Sequence, residues 1–67
     1  MDLAREVLRL YVKAAREDPD LWGLSLLDLA ADNVPDASLS DLKAAIVVSG
    51  VYARANRRVR REIEGYR

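Results

Sequence analysis

Apolar residues recur along this chain at helical spacing, and Asp, Ser, Asn and Pro stand where each run should begin or end. From Leu3 to Glu17, the residues Leu3, Val7, Leu10, Tyr11 and Ala14, with Ala4, Leu8 and Ala15 beside them, project onto one side of a helix. Arg5, Glu6, Arg9, Lys13 and Arg16 take the opposite side. Asp2 is placed to cap this first helix, expected over residues 3–17. Asp18-Pro19 then offers an N-cap followed by proline at the first helical position, where its missing N–H costs nothing, so a second helix is expected over 19–32. That helix is apolar over more than half its circumference: Trp22, Leu24, Leu26, Leu27, Leu29, Ala30 and Ala31 leave Ser25, Asp28 and Asp32 as a polar strip.

Asn33-Val34-Pro35-Asp36 is turn chemistry, and Ser38-Leu39-Ser40-Asp41 resembles a capping box with Asp in place of Glu, opening a third helix. Beyond it no proline intervenes. Ala44, Val48, Val51, Tyr52, Ala55, Val59, Ile63 and Tyr66 form one continuous stripe if the chain stays helical to its end, and Leu39, Leu42, Ile46 and Ala53 form a second, shorter one. The pattern therefore predicts one long helix over 38–66, roughly 40 Å at 1.5 Å per residue, against roughly 20 Å for each of the first two. Gly50 inside it would cost about 0.5 to 1 kcal/mol relative to Ala, which implies a close backbone approach there. No strand alternation occurs, and the expected fold is all-α: a single-domain three-helix bundle with a long third helix whose last turns overhang and need cover.

Composition narrows the possibilities. A chain of 67 residues with no Cys and no His has no disulfide, no thiolate or imidazole metal site and no histidine base, so its small core must be stabilised by packing or association. No apolar run approaches the ~20 residues that span a bilayer, and Met-Asp-Leu-Ala-Arg-Glu lacks the features of a signal peptide, so the chain reads as soluble and compatible with a reducing compartment. Net charge is zero, yet Glu17, Asp18, Asp20, Asp28, Asp32, Asp36 and Asp41 follow one another with no Lys or Arg between, and Arg54 to Arg67 holds six arginines against Glu62 and Glu64. Acidic and basic elements either lie against each other inside the fold or present the basic end to an anionic partner.

Catalysis has little to rest on. The serines have no visible base, and Asp28 and Asp32 at i and i+4 fall far short of a calcium cage, so no enzyme activity, metal, cofactor or small-molecule substrate is expected.

Two resemblances bear on function. Ser49-Gly50-Val51 followed by Arg54, Arg57 and Arg58 resembles the turn and recognition helix of helix-turn-helix domains over residues 42–66; it implies that Gly50 is the turn, Val51 the buried residue after it, and Tyr52, Arg54, Arg57 and Arg58 the groove-facing set. The sequence departs from that pattern at Tyr52, where a capping Ser or Thr is usual, at Asn56, where an apolar residue is, and at Ile46, where a small one is. The whole chain, with short capped helices and no Cys, His or Phe, resembles de novo designed helical mini-proteins of the protein-binding kind. Its preference for Arg over Lys and Asp over Glu differs from most of these. This resemblance implies engagement of a protein target, or of a second copy, by a helical face. Interfaces of that kind rest on aromatic and Arg anchors, so Trp22, Arg54 and Arg58, flanked by Leu21, Val47, Gly50 and Val51, are the expected binding residues. DNA binding by the arginine-rich C-terminal segment is the alternative.

Overall fold

A computed structural model describes residues 2–66, and every element among them is helical. There are five: α1 (Leu3–Glu17), α2 (Trp22–Asn33), α3 (Leu39–Val48), α4 (Val51–Arg54) and α5 (Arg57–Gly65). α1 packs on α2 and α3, α2 also packs on α5, and α4 joins α3 to α5 while touching α1. The described residues span 28 × 21 × 19 Å.

The first helix follows its sequence signals. Asp2 Oδ1 accepts from the amides of Ala4 at 3.1 Å and Arg5 at 3.3 Å, Glu6 stands in the first turn and Arg16 in the last, each charge suiting its end of the helix dipole. Glu6 also accepts from Arg9, which holds its carboxyl below the ordinary range. Val7, Leu10 and Ala14 are buried.

The second helix starts three residues later than expected. Asp18 ends α1, its N–H donating to Ala14 O at 2.9 Å, and its Oδ1 accepts from Leu21 N at 3.2 Å. Residues 19–21 are thereby held as a bend, and Leu21 precedes α2 with no side-chain cap. Asp18 has left the helical region, with φ −146° and ψ 81°, as the clash of a following proline with helical backbone favours. At the next junction Ser38 Oγ accepts from Asp41 N at 3.1 Å, as the capping pattern predicts.

The long third helix over 38–66 does not form. The segment is broken twice, so the bundle is not one of three helices. At Ser49-Gly50 the chain turns: Gly50 has φ +86°, the left-handed region that glycine enters without steric cost, and its N–H donates to Val47 O at 3.1 Å. Ser49 Oγ donates to Ile46 O at 3.0 Å, satisfying a carbonyl the helix end frees. The second break is at Ala55-Asn56, where Asn56 Oδ1 accepts from Val59 N at 2.8 Å and caps α5. Arg60 binds the pieces together, donating from Nε to Tyr52 O at 3.1 Å and from its terminal nitrogen to Ala53 O at 3.2 Å, with its guanidinium 5.0 Å from the Tyr52 ring centroid. It supplies donors for the last carbonyls of α4.

These breaks change which residues are inside. A continuous helix would align Val48 with Val51 and Val59; in the folded chain Val51, Ala55, Val59 and Ile63 are buried, whereas Val48 is 77% exposed. They also remove the overhang, because α5 folds back onto α2. The close backbone approach is made there by Gly23, where a Cβ would lie 3.0 Å from Val59 Cγ1 and 3.2 Å from Val59 O. Gly50, expected in that role, has nothing within 4 Å of its would-be Cβ and serves the turn alone. The end of α5 is pinned by Tyr66 Oη donating to Asp28 at 2.8 Å, Lys43 Nζ donating to Glu64 O at 3.0 Å, and Tyr52 Oη donating to the Glu64 carboxylate.

Candidate functional site

α3 carries apolar side chains on both sides. Leu42, Ala45 and Ile46 face the core and are buried, with Ile46 fully enclosed. Ala44, Val47 and Val48 stand on the other side; Ala44 is exposed, and Val47 and Val48 are 59% and 77% exposed. Positions i, i+3 and i+4 are neighbours on a helix, so the three form one outward apolar face, bounded by Ser40 and Asp41 at one end and the Ser49-Gly50 turn at the other. Single exposed apolar residues are ordinary, but adjacent valines on a solvent face are not, since β-branched side chains also lower helix propensity.

The arginines occupy another surface. Arg54, Arg57, Arg58 and Arg61 are exposed, and the one ion pair among the described residues is Glu6–Arg9, so none of the four is matched by a carboxylate of its own fold. Acidic α2 and basic α5 do pack together, but through Gly23 and Val59 and without an ion pair. Arg57 and Arg58 lie in the first turn of α5, which has no acidic residue, so their charges oppose the helix dipole.

A third feature is an open cleft of about 450 Å³ between the α1–α2 corner and α5, lined by Asp18, Leu21, Leu24, Ser25, Arg58 and Glu62. Leu24 is 47% exposed there, and Glu62 Oε1 is buried without any hydrogen-bond partner.

The residues expected to bind are thus divided by the fold. Trp22 belongs to the core: it is 4% exposed and meets Tyr11 edge to face, with centroids 4.7 Å apart. Val51 is buried too, and Gly50 is the turn. Val47 lies on the α3 face, Arg54 on the exposed arginine side, and Leu21 and Arg58 on the cleft. Val48 and Ala44 of the α3 face were assigned to the interior by the continuous stripe, and Asp18, Leu24, Ser25 and Glu62 of the cleft carried no sequence signal as a group. Among the described residues no three His, Cys, Asp or Glu side chains are grouped to hold a metal ion, and no helix is long and apolar enough to cross a membrane. No protein family, curated protein or solved structure matches this chain.

Proposed function

We propose that the chain is a non-catalytic protein-binding module, of the kind designed helical mini-binders represent, and that it engages its partner through the outward face of α3. The observation that carries this reading is the exposure of Val47 and Val48, 59% and 77%, on a helix already apolar on its buried side. A helix with apolar side chains on two sides is normally covered on both, and this chain covers only one. The first partner to consider is a second copy. Zero net charge leaves no overall repulsion between copies, and a 67-residue fold gains most from added apolar burial. Fully burying a valine is worth about 1.5 kcal/mol or more, while association costs at least about 4 kcal/mol, so closing two such faces on each other gives a weak pair that forms only at high protein concentration.

The second reading is nucleic-acid binding. The turn at Ser49-Gly50, which the helix-turn-helix resemblance requires, and the unpaired arginines at the start of α5 favour it. Against it, the helix after the turn ends at Arg54 after four residues, so no groove-length recognition helix follows the glycine, although Val51 is buried as that resemblance implies.

Light scattering on the intact chain across a concentration series, with and without random duplex DNA, separates the two. The protein-binding reading expects mass to rise with protein concentration and to change little with salt, and no duplex complex at about micromolar protein in ~50 mM salt. Duplex binding that weakens with salt at a log–log slope near −0.9 per neutralised phosphate would replace it with the second reading.

A further inference from the structure

α4 and α5 are braced to each other and joined to α3 by a two-residue turn. Arg60 of α5 donates to Tyr52 O and Ala53 O of α4 and lies over the Tyr52 ring, and Tyr52 Oη donates to the Glu64 carboxylate, so residues 51–66 form one unit. Beyond the turn itself, the polar ties of this unit to the rest, among the described residues, are Tyr66 Oη donating to Asp28 and Lys43 Nζ donating to Glu64 O, and no ion pair joins the two. The remaining hold is apolar: Val51, Ala55, Val59 and Ile63 are buried, with Val59 against Gly23. The same unit of a second copy offers every one of these contacts equally well. The turn also decides which way Val51 faces. With Gly50 in helical dihedrals, α3 and α4 become one helix over 39–54, and Ala44, Val47, Val48 and Val51 stand at i, i+3, i+4 and i+7 on one side of it. Leu42, Ala45 and Ile46 keep the opposite side toward their own core. Val51 then points away from its own body, beside the exposed valines.

We infer that the partner of the α3 face is a second copy that exchanges residues 51–66 with the first, the Ser49-Gly50 turn being the hinge. This rests on the reading that the chain associates through α3, and it names how. In the exchanged pair Gly50 is helical, Val51, Val59 and Ile63 of each copy fill the place vacated in the other, and Val47 and Val48 are covered because Val51 beside them is enclosed by the partner. Closed chains meeting face to face offer Ala44, Val47 and Val48 alone, whereas a stable interface takes about 20 to 30 residues a side. Exchange brings the whole of residues 51–66 into the interface. Interior contacts are conserved in the exchange, so the gain over two closed chains is the covering of the valines. A glycine in the straightened helix opposes it, which keeps the closed chain dominant at low concentration.

Two measurements on the full chain test the exchange. Gly50→Ala strains the left-handed turn and favours the helical hinge, so sedimentation equilibrium is expected to show pairing at least about tenfold tighter than in the unaltered chain. Asn56→Ala, which loosens α5 without acting on the hinge, is the control and should leave pairing within about threefold of the unaltered chain. The exchange itself is read on the unaltered sequence by refolding ¹³C-labelled and unlabelled chains together from urea at about 1 mM and recording isotope-filtered NOEs. The α-protons of Gly23 in one copy are expected to meet the Val59 methyls of the other, a contact that closed chains make only within themselves. Pairing without that NOE between copies, or pairing unchanged by Gly50→Ala, would overturn the exchange and leave closed chains meeting face to face at α3. Absence of pairing in all three chains would overturn the α3 reading together with it.

Discussion

α3 and α5 differ in how much of their sequence the fold explains. In α5 the buried residues are Val59 and Ile63, and outside them stand Arg57, Arg58, Arg61 and Glu64, as expected of a helix with one face in water. In α3 the buried residues are Leu42, Ala45 and Ile46, and outside them stand Ala44, Val47 and Val48. Long charged side chains on a surface are solvated at little cost, so the arginines need no partner to account for them. Exposed valines gain nothing from the isolated fold. The surface proposed to bind is therefore on α3, with two charged residues against six in α5, whereas charge patterning alone points to the arginines.

The largest effect should come from comparing the two faces of α3 directly. Ile46→Ala removes an enclosed side chain and is expected to lower unfolding free energy by about 2 to 4 kcal/mol in urea titration, whereas Val48→Ala, two residues on, should stay within about 0.5 kcal/mol. Equal losses would show that Val48 is packed inside and that α3 has no free apolar face.

Gly50→Ala comes next. At φ +86° a Cβ is strained even with open space around it, so a loss of about 1 to 2 kcal/mol is expected. A gain in stability would mean that the chain runs on as one helix, which would return Val48 to the same stripe as Val51 and erase the contrast between α3 and α5.

Both breaks are written in the sequence, yet the periodic stripe from Ala44 to Tyr66 conceals them. A helix that stops and restarts can resume in nearly the same phase, so periodicity does not distinguish it from one that continues. What separates the two is local chemistry: Gly50 can take the left-handed turn, and Asn56 with Val59 three residues on has N-cap spacing. Asp2 and Ser38 were legible because nothing competed with their caps. Asp18 was not, since the same residue could open α2 or close α1, and the closing amide bond to Ala14 prevailed. The outward α3 face follows from the Gly50 break and was hidden with it. The cleft depends on α5 folding back across Gly23, a contact between segments more than thirty residues apart that no local pattern announces.

Asn56 offers a smaller test on the α5 side. Asn56→Ala should cost about 1 kcal/mol of stability through loss of the cap, whereas Asn56→Asp should hold or raise it by a few tenths, because a carboxylate there offsets Arg57 and Arg58 at the positive end of the helix. Thermal unfolding of both variants checks this, and a neutral Asn56→Ala would mean that α4 and α5 are one helix.

Alkaline pH should give the smallest effect. Hydrogen bonds to Glu64 and to Asp28 raise the ionisation of Tyr52 and Tyr66, respectively, above the usual tyrosine range. Each phenol is therefore harder to ionise in the folded chain than in the unfolded one. The stability this gives is complete below about pH 10 and is lost as pH rises through the folded values. Urea unfolding at rising pH should show a shallow decline above about pH 10 that is reduced in Tyr66→Phe; a decline unchanged by that substitution would remove Tyr66 from the pinning of α5.

The central claim, that association runs through the face of α3 and not through the arginines of α5, is tested most directly by sedimentation equilibrium on three chains: the unaltered protein, Val47→Lys with Val48→Lys, and Arg57→Glu with Arg58→Glu. The account predicts that the unaltered chain pairs weakly, that the double-lysine chain stays monomeric to about 1 mM while keeping its fold, and that the double-glutamate chain pairs within about threefold of the unaltered one. Pairing that survives the two lysines and disappears with the two glutamates would contradict it.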